Sequence, residues 1–357
     1  PFSVPVSSFI RSNISSSKTM ERLFNFKEKK YGYISSQGFE FYSSWKRFLN
    51  STGAEVNKID FAEINFRRKD TLLSLAFGKN PSSNFLDTSE ELLIYQSFYD
   101  KEAFLNPWLN LVEEGYSLGF SNRLNELFFD LNIFSGFKRS EDWFLKPSYY
   151  FQKTKNESKG LNLTLRNNIL SKFMIGYTLG FLETNNGLFD NRFNGAFSII
   201  EDTKSIFSSI SFKSSLAKEL SFIGSINYSN SSNINSDKII KNISGLEEFS
   251  FDFALIKKSL FYKNDFLSFR IKQDPRIEKA RVSLNIPKGR NPNGVVEFKS
   301  VTLPIIPSGR EINFETSWSF HRDNRKSFIN LSFIDDKDHI KSKDIEINLI
   351  FAHQRFF

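Results

Sequence analysis

The sequence predicts an all-β chain: an antiparallel transmembrane β-barrel with an even strand number, about 12 to 16, and one short helix in a loop or the lumen. Three observations predict it. From Ile59 onward the chain repeats one device, a stretch of alternating apolar and small polar residues followed by a short polar turn. Such a period of two marks strands whose faces meet different surroundings. Several stretches reach about ten residues, the length that crosses a bilayer at a tilt. The second face is Ser, Asn, Thr and Gly rather than Lys and Glu, which suits a wet or filled lumen better than a solvated surface.

The elements follow in order. Residues 1–58 carry mixed signals and are read as a linker, a lumen segment or early strands, with the barrel spanning 59–357. IDFAEINF, the turn RRKD and TLLSLAF form a hairpin by pattern. DTSEELLIYQSFYDKEAFLNPW predicts a helix, because Thr88 and Glu91 stand in capping-box spacing and Pro107 closes the run. GYSLGF then turns through SNRLNE into LFFDLNIF, and KPSYYFQK precedes GLNLTLRNN, where Asn167 and Asn168 read as a turn. SKFMIGYTLGFLE aligns Phe173, Ile175, Tyr177, Leu179 and Phe181 on one face. RFNGAFSII, SIFSSISFK, ELSFIGSINYS, EFSFDFALIK, DFLSFRIKQ, ARVSLNI, EINFETSWSF, KSFINLSFI and DIEINLIF continue the series to about sixteen segments. In ELSFIGSINYS, Phe222, Ile226 and Tyr228 are expected to face lipid, and Ser221, Ser225 and Asn227 the lumen. Residues 231–245 and 287–310 read as long loops, the second with room for a small hairpin.

Composition excludes several functions. The chain has 42 Phe and 11 Tyr, which favour strands, but no Cys, so neither a disulfide framework nor a thiolate metal site is available. His321, His339 and His353 lack metal-ligand spacing, and neither a metal nor a cofactor is expected. A net charge of +8 comes from short clusters such as KEKK and RRKD without a nucleic-acid-binding motif, so no nucleic-acid partner is expected. No run approaches the roughly 18 apolar residues of a transmembrane helix. The N-terminal stretch PFSVPVSSFIRSN has no signal-peptide pattern and reads as the cut edge of a longer precursor.

Catalysis is not expected either. The carboxylate pairs Glu113 and Glu114, Glu247 and Glu248, and Asp335 and Asp336 are adjacent in sequence, so on a strand they point to opposite faces. His339 in DDKDHIK reads as a solvated turn residue and His321 as a turn residue after a strand. There is no Gly-flanked nucleophilic Ser and no phosphate-binding loop.

The end of the chain, DIEINLIFAHQRFF, places Ile345, Ile347, Leu349 and Phe351 on one face ahead of the terminal Phe357. It resembles the closing strand of Gram-negative outer-membrane barrels, which end on Phe after alternating apolar residues. The resemblance implies that these five residues are an assembly signal read by the barrel-insertion machinery. Arg355 and His353 depart from that alternation.

A narrower resemblance lies in SGREINFETSW, with Ser308, Gly309, Arg310, Glu311 and Trp318, supported by NPWLNLVEEGYSLGF and GYTLGFLETNNGLFDNRFNGAFS. These stretches are similar to the C-terminal translocator domains of autotransporter subtilisin-like serine peptidases. The resemblance implies a barrel in the outer membrane, in contact with its lipid, that anchors and helps export a passenger domain in cis. That family usually has about twelve strands. The expected function is therefore a translocator; the alternatives are a porin-like channel, with 287–310 as its constriction and basic residues favouring anions, and a soluble extracellular β-domain that binds a surface glycan or protein.

Overall fold

The computed structural model describes residues 30–34, 38–49, 55–79, 108, 112, 114–140, 154–170, 173–185, 202–235, 239–263, 265–322 and 325–355. They form a 17-stranded antiparallel sheet. Its strands are β1 Lys30–Ile34, β2 Phe39–Leu49, β3 Glu55–Arg68, β4 Thr71–Lys79, β5 Glu114–Leu124 and β6 Leu127–Ser140. Then come β7 Thr154–Leu170, β8 Phe173–Thr184, β9 Thr203–Ala217, β10 Leu220–Ser231, β11 Ile234–Asn235 and β12 Ile240–Lys258. The last five are β13 Asp265–Arg290, β14 Val296–Pro304, β15 Ile312–Arg322, β16 Arg325–Asp335 and β17 Glu346–Arg355. β1 pairs only the foot of β2, β11 is two residues long, and β14 folds back on the far end of β13. Setting those three of the 17 aside leaves fourteen wall strands, within the expected range and above the usual number for translocator domains.

The two rims differ. On one, neighbouring strands join through two residues: Lys69-Asp70, Asn125-Glu126 and Lys218-Glu219. Lys69, Asn125 and Glu219 hold φ of 51°, 58° and 61°, the left-handed conformation that tight hairpins demand. The opposite rim carries the long connections, including 80–113 and 141–153. Short turns on one side and long loops on the other are the asymmetry of outer-membrane barrels.

The sheet is inside-out. Outward residues are large and exposed: Tyr116 and Leu118 on β5, Ile133 on β6, Leu161 and Leu165 on β7, Tyr177 and Leu179 on β8. Their inward neighbours are small, polar and buried: Ser117, Asn132, Asn162, Thr164 and Thr178. On β10, Ile226 and Tyr228 are about two-fifths exposed while Ser225 and Asn227 are buried, the two faces expected from the sequence. Water would reverse this pattern; only lipid outside the wall makes it favourable. The two faces are those of a membrane-spanning β-barrel wall.

Both faces show how the sequence holds its register. Inside, a belt of hydrogen bonds crosses successive strands: Thr164 to Thr178 at 2.8 Å, Ser209 to Asn227 at 2.5 Å and Asn227 to Ser250 at 3.3 Å. Outside, Phe212, Phe222, Phe253 and Phe251 form a ribbon with ring centroids 5.3 to 6.4 Å apart. Gly224 makes room for it, since a Cβ there would lie 2.4 Å from the Phe253 ring. Near the short-turn rim, Trp318 and Phe320 meet Phe261 and Tyr262 of the β12–β13 turn, and the indole donates to Asp265 at 3.1 Å. Such amphipathic aromatics suit a membrane interface.

Several expectations are refined. Strands begin at Lys30, so part of 1–58 belongs to the sheet. Asn167 and Asn168 lie within β7, because cross-strand pairing with β8 continues to Leu170. Residues 287–310 are no slack loop: β13 runs on through Arg290, and β14 returns along it. β11 and the start of β12 occupy 231–245, where Ile234, Ile240, Ile243 and Leu246 pack with Ile277, Val282 and Ile305 to brace this hairpin. The expected strands KPSYYFQK and RFNGAFSII lie outside the described residues almost entirely, as does the expected helix except for Trp108.

Candidate functional site: the barrel lumen

The inner wall is mostly polar, with one apolar cluster of Ile223, Ala254 and Ile256 and another where Trp108 and Val112 lie against it. Trp108 and Val112, from the segment between β4 and β5, pack with Phe134, Leu182 and Phe207 of β6, β8 and β9. Trp108 stacks on Phe207 at 5.9 Å, and its indole N–H donates to Glu248 of β12 at 3.2 Å. The same carboxylate accepts from Ser229 at 3.3 Å. Glycines make this seat: a Cβ at Gly180 would stand 2.1 Å from Phe207, and one at Gly160 2.7 Å from Phe134. The inward rings therefore lie flat against the wall, leaving space for the indole. The indole thus ties Trp108 to β9 and β12, within a cluster that also takes in Phe134 of β6 and Leu182 of β8.

Below this seat the lumen is charged, and Arg166, Arg270 and Lys272 each lie against carboxylates. Arg166 bonds Asp130 at 2.7 Å. Arg270 bridges Asp252 and Glu315, and Lys272 lies 3.6 Å from Asp274 and 3.9 Å from Glu315. Pairing at this distance leaves little bare positive charge to draw anions inward. Glu63 accepts from Ser74 at 3.0 Å. Both amide atoms of Asn162, together with Asp130 Oδ1, Asn65 Oδ1 and Asn330 Oδ1, are buried with no protein partner among the described residues. Buried polar atoms of this kind call for hydrogen-bonding partners, which water or a polar solute can supply.

The residues singled out by sequence lie elsewhere. Ser308, Gly309, Arg310 and Glu311 gather at the long-loop rim, where they fasten the β16–β17 connection. Ser308 Oγ accepts from Lys341 N at 3.1 Å, Gly309 N donates to the His339 carbonyl at 2.8 Å, and Arg310 N donates to Asp336 at 3.1 Å. The Arg310 guanidinium reaches Gln273 at 2.6 Å and Glu278 at 2.7 Å. Trp318 is far from them along β15, in the opposite aromatic cluster. Ile345, Ile347, Leu349 and Phe351 face outward and are 60 to 71% exposed; Phe357 lies outside the described residues.

His339 corrects an expectation. Rather than standing in solvent it is half-buried, and its Nδ1 accepts from Glu311 N at 2.9 Å. Burial holds its pKa below the usual value. Glu247 and Glu248 do point to opposite faces, the first toward Lys279 at 2.9 Å and the second toward the lumen. Sequence reasoning missed Trp108, Phe207 and Glu248 as a unit. Their meeting depends on pairings between β9, β10 and β12 that align Phe207, Ser229 and Glu248 in one row.

No known family model matches the chain, and no curated protein matches it. Solved structures do. It is similar to the Pseudomonas putida toluene transporter TodX at 11% identity, covering 68% of this chain and 73% of that one, with a TM-score of 0.37. It is similar to OmpF of Salmonella typhi in complex with daunomycin at 12% identity, covering 91% and 88%, with a TM-score of 0.45. A loop-deletion mutant of OmpT, an outer membrane protein of Vibrio cholerae, gives 8% identity over 90% and 88%, with a TM-score of 0.43.

Proposed function

We propose that the protein is a gated, porin-like channel for small polar solutes, with no catalysis of its own. The observation that carries this reading is the seat of Trp108 on the inner wall. Trp108 and Val112 narrow the lumen from within, while the polar wall below them is suited to water and polar cargo. Its constriction is at Trp108 and Val112 rather than at 287–310, whose β13–β14 hairpin lengthens the wall. Lipid and the barrel-insertion machinery are its partners, the latter through Ile345, Ile347, Leu349, Phe351 and Phe357.

The translocator reading is the second. It rests on the likeness of SGREINFETSW and on the buried inner wall, which fits a filled barrel. Planar-bilayer recording of the purified chain separates the two. The channel reading expects brief, small conductance steps from the native protein and larger, steadier ones from Trp108→Ala. Silence from both variants, with native protein fractionating in the outer membrane well above 41.5 kDa, overturns the channel and favours a passenger-bearing translocator.

A further inference from the structure

The connection between β16 and β17 is closely braced, and its brace depends on one imidazole. Three of its non-glycine residues, Asp336, Asp338 and His339, hold φ of 48°, 57° and 58°. Left-handed backbone at such residues is costly and persists only where surrounding contacts fix it. The contacts are reciprocal: Glu311 N donates to His339 Nδ1 at 2.9 Å, while Glu311 Oε2 accepts from Asp338 N at 2.6 Å. Gly309 closes the arrangement, since a Cβ there would stand 2.6 Å from Lys341 N. Asp336 caps the far side by accepting from Ser342 N at 2.8 Å.

From these contacts we infer that the β16–β17 connection is an acid-released flap on the long-loop rim, with His339 as its trigger. A neutral imidazole accepts the Glu311 N–H through Nδ1. Protonation turns Nδ1 into a donor facing another donor, so the bond that holds the left-handed run is lost. The surrounding charges set the direction. From β13, Asp274 faces the ring and favours protonation, while Arg276 opposes it. Arg310, from the segment before β15, also opposes it. Within the connection, Asp336 and His339 attract each other, Lys341 faces Asp336, and Asp338 faces Glu311. Lys272 and Asp274 act on Glu311 from β13. Burial works with the two arginines, so the folded ring gives up its proton more readily than a free one. The sign follows: a depressed histidine weakens the folded flap as pH falls below about 6.5 and not above it.

The test is hydrogen exchange of the Asp338, Lys341 and Ser342 amides in the full chain in lipid vesicles, corrected for intrinsic rates, between pH 7.5 and 4.5. Titration of the ring alone lowers protection by about tenfold per pH unit; in the native chain Glu311 takes up a proton over the same range and offsets part of that fall, so the full slope is expected in Glu311→Gln. His339→Asn, whose side-chain oxygen can replace Nδ1 as acceptor without titrating, is expected to stay protected throughout. Glu311→Gln keeps an acceptor for Asp338 N but cannot take up the proton that opposes release, so it is expected to lose protection in acid more steeply than the native chain. Protection independent of pH in Glu311→Gln, or acid release persisting in His339→Asn, overturns the proposal.

Discussion

Replacing Ile226 with Arg sets lipid against water as the outer solvent of the wall. Ile226 lies at the middle of β10, faces away from Asn227, pairs across the sheet with Ile210 and is 39% exposed. At the bilayer midplane an outward Arg costs about 2–4 kcal/mol. Taking about 3 kcal/mol, the folding equilibrium drops by about 150-fold. On a water-facing sheet the same change at a partly exposed site stays within about 0.5 kcal/mol. Val295→Arg is the control, since Val295 is 60% exposed but belongs to the β13–β14 hairpin beyond the wall, and its cost is expected within about 0.5 kcal/mol. Reversible urea unfolding from lipid vesicles gives both values. Equal and small effects at the two sites would refute the reasoning.

Three further outcomes follow from the same geometry. Gly180→Val drives a side chain into the Phe207 ring, where even a Cβ would stand at 2.1 Å. It is expected to cost about 1–3 kcal/mol and to enlarge the conductance, because the seat of Trp108 is lost. Glu311 has its pKa pushed up to about 7 by burial and by Asp274, so its contribution to stability is present below the ordinary carboxylate range and is lost as pH rises toward 7. Glu311→Gln is therefore expected to slow amide exchange in the β16–β17 connection at pH 8 and to leave it unchanged below about pH 4.5. Removing Phe357 is expected to reduce outer-membrane yield in cells while the urea midpoint in vesicles barely moves; a large midpoint shift would make that residue structural rather than a signal.

Local pattern carried much of the fold. The alternation of β8 and β10 places Tyr177 and Leu179 opposite Thr178, and Tyr228 opposite Asn227, and the structure keeps those faces. Period two survives because a wall between lipid and a polar lumen penalises any slip that exchanges them. Turns were less legible. Asn167 and Asn168 have turn chemistry, yet cross-strand pairing with Ile175 and Met174 holds them in β7, so tertiary context overrides a local preference. Residues 287–310 look like loop because Pro and Gly punctuate them, whereas neighbouring strands supply the pairing and the apolar brace around Ile277 and Val282. The lumen site was hidden for the same reason. Trp108 and Glu248 are 140 residues apart, and nothing local to either predicts their bond. His339 looked solvated because its neighbours are charged; the chain folds those charges into a brace around it.

The central claim, that lipid lies outside the wall and a polar lumen inside, is tested most directly by a nitroxide scan of β7. The chain has no cysteine, so single cysteines at 161 to 165 can be labelled one at a time in vesicles and probed with oxygen, which concentrates in lipid, and with a water-soluble nickel chelate. Labels at 161, 163 and 165 should collide with oxygen and avoid nickel, while those at 162 and 164 should show weak oxygen collision. Uniform nickel access at 161, 163 and 165, or an alternation of opposite phase, would contradict the inside-out barrel.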